Sequence, residues 1–434
     1  MQLYSTRSPQ LRVTLREAVI KGLPEDNGLY MPGHIPAFSA AGLAALRDLP
    51  FPELACRIAA QLLAGALPPA DLERIVRISM TFDAPLVPLY PGHQMLELFH
   101  GPTLAFKDFG ARFMAGLMGY FVQDASRMLT ILVATSGDTG GAVASGFHRT
   151  PGVRVVILYP SGKVSGLQEK QLTTLGDNIQ ALEVGGSFDD CQALVKQAFL
   201  DPELTQRHWL TSANSINIAR LIPQSFYYFR AWQQADPEAG PLVFSVPSGN
   251  FGNLTAGLLA ARMGLPAAHF IAATNANDVV PAYLHSGLFQ PRPSVQTLSN
   301  AMDVGNPSNF ARMMDLFGGS YPAMRAAISG YAYSDAETVE AVRRLYEETG
   351  YLADPHAAVG FLAGEAYRSA HPGHQVITLG TAHPAKFADA IEARTGIPVP
   401  IPPAFAGLAR REKQALPMPA EYRQFRQFLM DLPQ

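Results

Sequence analysis

The sequence predicts an α/β protein with two parallel-sheet α/β domains, helices on both faces of each, and a mostly helical N-terminal domain. Three observations carry this expectation. The 434 residues exceed the size at which one hydrophobic core stops growing, so more than one domain is required. From Leu129 onward, short β-branched runs end in Gly, Ser, Thr and Asn turns and give way to helical patterns, the alternation of parallel sheets. Those runs are continuously apolar rather than alternating, as strands covered on both faces are.

Taken in order, residues 1–95 form the N-terminal domain, because FPELACRIAAQLLAGALP and ADLERIVRISMTF repeat with helical periodicity and strand signal is sparse. Residues 96–127 and 210–434 are assigned to a large α/β domain, and residues 128–209 to a small one. The strand candidates are TILVA, VRVVILYP, IQALEVGG, PLVFSVPSG, FIAATN and QVITLG. The polar connection between Phe199 and Pro241 reads as the crossing between the two units. Pro281 to Pro307, rich in Pro, Ser and Asn, reads as a long irregular loop, and the last thirty or so residues as helix plus tail.

Composition narrows the function. Apolar residues make up 48% and charged residues 16%, which suits a well-buried enzyme and not a disordered chain. A formal charge of -3 offers no general field for nucleic acid or anionic lipid, so any bound anion must be held locally. Cys56 and Cys191 have no CxxC or Cys/His spacing that suggests a metal, and no run approaches the length of a membrane span. A cytoplasmic protein is expected, as a monomer or homodimer, with no metal.

Lysine occurs only seven times, so routine positive charge is carried by arginine. Lys107 lies in FHGPTLAFKDF, among Phe99, Leu104, Phe106 and Phe109. An ammonium in such company is either paired with a carboxylate, such as Asp108 or Glu97, or is a desolvated nucleophile. Three strand-to-helix turns could hold anions through backbone amides: ATSGDTGG with Ser136, Asp138 and Thr139; PSGNFGN with Gly249, Asn250, Phe251, Gly252 and Asn253; and GTAHP with Thr381. The glycine spacings fail the dinucleotide pattern, YPSGKVSG fails the P-loop at Ile157 and Val164, and ATSGD lacks both glycines of an esterase elbow. A lysine nucleophile with a phosphate-cradling glycine loop is the minimum kit for pyridoxal 5'-phosphate.

The motifs HGPTLAFKDFGARFM, ATSGDTGGAVA, LYPSGKVSGLQEKQ, SANSINIARL, SVPSGNFGNLTAGLLA, TLSNAMDVGNPSN and LGTAHPAKF resemble, in order, the threonine synthase family in its longer bacterial and fungal form. LYSTR and NGLYMP extend the resemblance to the N-terminus. It implies a fold-type II pyridoxal phosphate enzyme converting O-phospho-L-homoserine and water to L-threonine and phosphate. Lys107 is then the Schiff-base lysine and proton carrier. Gly249 to Asn253 hold the cofactor phosphate in the large, cofactor-binding domain, although Asn253 stands where some relatives carry an acidic residue, and Thr381 faces the pyridine nitrogen. Ser136, Asp138 and Thr139 take the substrate carboxylate in the small domain. Asn214, Ser215 and Arg220 receive the substrate phosphate, with Lys163 as a further candidate. A dehydratase, or a phospho-lyase that adds no water, is the alternative. His100, His356 and His383 read as structural histidines, and HPGH at 371–374 as a surface turn.

Overall fold

The computed structural model describes residues 1–433. Near the start, β1 (Gln2–Ser5), β2 (Arg12–Thr14) and β3 (Tyr30–Pro32) form an antiparallel sheet in the order β2-β1-β3. The helices Phe51–Leu62 and Pro69–Ser79 follow, each opened by proline in its first turn, where a missing N–H costs nothing. Their apolar stripes pack on the helix Lys107–Val122: the Phe51 and Phe109 rings meet edge to face, and Gly116 gives the Ile75 side chain room to approach.

The next strands are β4 (Leu86–Tyr90), β5 (His93–Glu97), β6 (Leu129–Ala134), β7 (Val153–Pro160), β8 (Ile179–Gly185) and β9 (Trp209–Ser212). After them come β10 (Leu242–Pro247), β11 (His269–Thr274), β12 (Ile328–Ala332), β13 (Gln375–Gly380) and β14 (Leu416–Pro419). A six-stranded sheet runs β12-β11-β10-β13-β5-β4, parallel except for β4. A five-stranded, wholly parallel sheet runs β14-β8-β7-β6-β9. Every residue of β6, β7, β10 and β13 is buried, which accounts for their unbroken apolar runs.

Sheet membership departs from the expected boundaries in three places. The segment 1–95 contributes strands as well as helices, and β4 and most of β5 belong to the large sheet. Strand β9, from the connection between the two units, is an edge of the small sheet. Strand β14, placed by sequence in the large unit, pairs with β8 on the other edge. The C-terminal helix Tyr422–Asp431 then buries Phe425 and Leu429 against Cys191 and Leu194, while Lys413 bridges Glu169 and Glu183. Such pairings between distant segments leave no local signature. The helix Val279–Ser286 also enters the stretch expected to be irregular, which resumes its loop character until a short turn at Asn300–Met302. Among the described residues, no helix is long and apolar enough to cross a membrane.

Candidate active site

The segment leaving β5 carries Lys107. Leu98 donates to the Gly380 carbonyl, Phe106 to the Thr381 carbonyl at 2.9 Å, and His383 to the Leu104 carbonyl at 3.0 Å. These bonds lash residues 98–106 to the end of β13, so Thr381 lies beside the entry to the lysine's helix. Leu104 adopts a left-handed backbone with φ of 59°, a conformation that disfavours branched side chains and clusters at functional sites. Asp108, next to Lys107, faces away from it and is fully buried. Its carboxylate accepts from the Thr103 amide at 2.8 Å and hydroxyl at 2.6 Å, closing the GPTLAF turn. Burial pushes the Asp108 carboxyl up, to about 6, despite the Thr103 bonds that oppose it.

Lys107 opens the helix Lys107–Val122 with its side chain 16% exposed. Its Nζ lies 3.8 Å from Asp138 Oδ2 and 5.5 Å from the centre of the Phe106 ring. Desolvation lowers the amine pKa; Asp138 pulls it back up, while the charges of Lys386 and Arg220 push it further down, leaving it below the ordinary lysine range.

Asp138 reaches the lysine because β6 ends in a tight turn. Thr135 Oγ1 accepts from the Gly137 and Gly140 amides at 3.0 and 2.8 Å, and Gly137 has φ of +140°, which glycine alone adopts freely. A methyl group at Gly137 would also strike the Gln168 side chain. The helix Asp138–Phe147 starts there, with Ser136 and Thr139 half-buried on either side of Asp138. Asp138 Oδ1 accepts from Lys386 Nζ at 2.8 Å and from Gln168 Nε2 at 2.9 Å. Burial alone would raise its carboxyl, yet the charges of Lys386 and Lys107 and the two donors hold it far below the usual range. Lys386 was missing from the sequence-based candidates. Its signal was available, since it is one of only seven lysines and stands in the apolar stretch PAKF.

The second turn follows β10. Gly249 is required by close approach: a Cβ there would lie 2.6 Å from Met302 Cα and 2.8 Å from the Ala301 carbonyl oxygen. Phe251 is left-handed, with φ of 59°, and leads into the helix Gly252–Arg262. Asn250 Nδ2 donates to Ser215 Oγ at 2.7 Å, and its Oδ1 accepts from the Ser308 amide at 2.6 Å. Asn253 Oδ1 accepts from the hydroxyls of Tyr227 and Tyr228 at 2.7 and 2.9 Å, while its buried Nδ2 has no partner among the described residues. Arg312, wholly buried, bonds the carbonyls of Tyr30 and Ile216 and the side chain of Asn309, whose amide supports the Asn250 carbonyl.

The remaining candidates divide. Ser215 joins the Gly249–Asn253 turn through Asn250, and Asn214 lies half-buried beside it. Arg220 is 3% exposed; Nη1 donates to the Ala213 carbonyl at 2.8 Å, and its buried Nε, packed on Gly110, has no hydrogen-bond partner among the described residues. Burial brings its pKa down to about 10. Lys163 stands apart: it is exposed on the turn after β7, and its side chain bonds none of the others. His100 is exposed and bonded to Glu97, His383 accepts from the Ala385 amide, and His356 forms a buried pair with Asp354 at 2.5 Å. His371 stacks on Tyr367, and His374 lies tilted against the same ring.

The family profile described as "Pyridoxal-phosphate dependent enzyme" matches residues 94–381. Those described as "Threonine synthase N terminus" and "Threonine synthase, C-terminal" match residues 2–80 and 357–429. Threonine synthase from Escherichia coli is 45% identical over 432 residues, covering 99% of this chain and all of that protein. The chain belongs to the threonine synthase family. Its fold matches the crystal structure of the Escherichia coli threonine synthase with a TM-score of 0.92, at 44% identity, over 99% of this chain and 100% of that one. It also matches the threonine synthase of Brucella melitensis, solved with pyridoxal phosphate bound, with a TM-score of 0.93 at 36% identity, over 99% of this chain and 98% of that one. The residues present fit that cofactor. They supply an amine with a lowered pKa at Lys107 and a turn at Gly249 whose backbone has no room for a side chain, at the N-terminus of an eleven-residue helix.

Proposed function

We propose that this member of the threonine synthase family converts O-phospho-L-homoserine and water to L-threonine and phosphate by β,γ-replacement, closing threonine biosynthesis. The observation that carries the reading is the desolvated Lys107 amine set 3.8 Å from a carboxylate already committed to a second lysine. Such an amine is neutral often enough to act as nucleophile and proton carrier.

Lys107 would hold the cofactor's aldehyde carbon, the Gly249–Asn253 turn its phosphate, and the Thr381 hydroxyl its ring nitrogen. When bound, pyridoxal phosphate supplies an electron sink for negative charge developing on the substrate. Lys107 then carries protons to and from the substrate's Cα and Cβ. The α-carboxylate suits the first turn of Asp138–Phe147, where backbone amides and the hydroxyls of Ser136 and Thr139 add to the helix dipole. The Asp138 carboxylate, itself negative, stays on the lysines. Asn214, Ser215 and the buried charge of Arg220 would take the substrate phosphate, a reading supported by the bond from Asn250 of the Gly249–Asn253 turn to Ser215. Two free cysteines accord with work in a reducing cytoplasm.

Supplying O-phospho-L-homoserine and measuring threonine, phosphate and 2-oxobutyrate tests the reading. Threonine and phosphate in equal amounts are expected, with both lost in Lys107→Ala. A predominance of 2-oxobutyrate would instead identify a lyase that adds no water at Cβ.

A further inference from the structure

Lys386 is more deeply enclosed than Lys107: its side chain is 0% exposed. Its amine donates to the Thr103 carbonyl at 2.7 Å, to Gln171 Oε1 at 3.0 Å and to Asp138 Oδ1 at 2.8 Å. Three acceptors around one amine match all three N–H bonds of an ammonium, so this lysine has no donor left over. Lys107, by contrast, has among the described residues only the longer 3.8 Å approach to the other oxygen of the same carboxylate. One aspartate is thus shared unequally by two lysines.

The arrangement also bridges the fold. Thr103 belongs to the segment lashed to the large sheet, while Asp138 and Gln171 come from helices flanking the small sheet. Gln171 Nε2 donates in turn to the Thr103 carbonyl at 3.1 Å, closing a ring of bonds across the two units.

We propose that Lys386 is a positioning residue for the reaction read above. By engaging Asp138, it keeps that carboxylate from claiming the Lys107 amine, and it fixes the distance between the small-sheet turn and the lysine's helix. The inference rests on the proposed role of Lys107 as the reactive amine. The charged groups around Lys107 are Asp138 and Lys386, with Arg220 also close enough to act on it; Asp108 is turned to Thr103. Removing Lys386 takes away a neighbouring cation and frees an anion, and both changes favour a protonated Lys107. The sign of the effect is therefore fixed in advance.

The test is competitive acetylation of the full-length, cofactor-stripped chain across pH, with the Lys107 peptide quantified by mass spectrometry. In Lys386→Met the midpoint for Lys107 should rise by about 1–3 pH units, the range for an opposite charge brought within a few ångström. Adding Asp138→Asn should bring the midpoint back down, a reversal that a merely structural role would not produce. Lys386→Gln, which keeps amide donors for Thr103 and Asp138 without the charge, is read the same way and decides the matter where the methionine variant does not fold. A midpoint unchanged or lowered in a folded Lys386 variant overturns the proposal. Because the labelling uses no substrate, an upward shift in a chain whose parent makes no threonine would sink the proposed reaction and leave the lysine pair standing.

Discussion

Replacing Gly249 by alanine puts a methyl group 2.6 Å from Met302 Cα, 2.8 Å from the Ala301 carbonyl oxygen and 3.2 Å from the Met302 carbonyl carbon. All three neighbours are backbone, so no side chain can swing aside. Ordinary contact begins near 3.4 Å, and the gap must therefore open by about 0.8 Å. The turn at Asn300–Met302 is held from behind, because the Ala301 amide donates to His356, which is itself bonded to Asp354. The displacement accordingly falls mainly on residues 249–253. Overpacking of this kind costs about 1–3 kcal/mol. If it falls on the cofactor-competent turn, affinity for pyridoxal phosphate drops by about 5- to 150-fold. Titration of the cofactor-stripped variant, followed by visible absorption, reads the affinity, and a thermal melt without cofactor reads the fold. Binding within twofold of the parent would refute the argument that this turn holds the phosphate at its present position.

Thr381→Val removes a hydroxyl while leaving the backbone carbonyl that accepts from Phe106, so the fold should survive. Cofactor affinity should fall by about 5-fold, the value of one ordinary hydrogen bond, and equilibrium titration would show it. The buried Asp108 carboxyl titrates near 6 in the folded chain against an ordinary 3.8. A raised carboxyl contributes stability that is present below the unfolded value and lost as pH rises through the folded one, about 3 kcal/mol in all. Asp108→Asn should therefore lose ground to the parent at pH 4 and recover relative to it by pH 7. A melting-temperature difference independent of pH would contradict this.

What the sequence made legible was whatever is written locally. The continuous apolar runs of β6, β7, β10 and β13 announced strands covered on both faces, and the turns after β6 and β10 carried their glycines where the backbone is tight. Lys107 stood out by its apolar neighbours. Lys386 carried the same signal in PAKF, but its role did not show, because its three partners, Thr103, Asp138 and Gln171, lie more than 200 residues away in the chain. Arg312 escaped notice because it serves backbone carbonyls, at Tyr30 and Ile216, that have no side-chain signature. Lys163 is a different case. Its place in a glycine turn suggested an anion, yet the turn after β7 leaves it in solvent. Periodicity could identify β14 neither as a strand nor as part of the small sheet, because Leu416–Pro419 is short, edge-placed and half proline.

The pairing of β14 with β8 sets an order of events during synthesis. More than two hundred residues separate the two strands, and the helix that covers Cys191 and Leu194 comes later still. At ribosomal speeds of about 5–20 residues per second, the open edge of β8 waits roughly 10–50 s for its neighbour. Throughout that interval the nascent chain presents a parallel strand with one open edge beside an uncovered apolar surface, a template for association with other chains. The small unit is therefore begun early and finished last, and a chaperone that shields β8 during this window should raise the yield of native protein more than one acting on the completed chain.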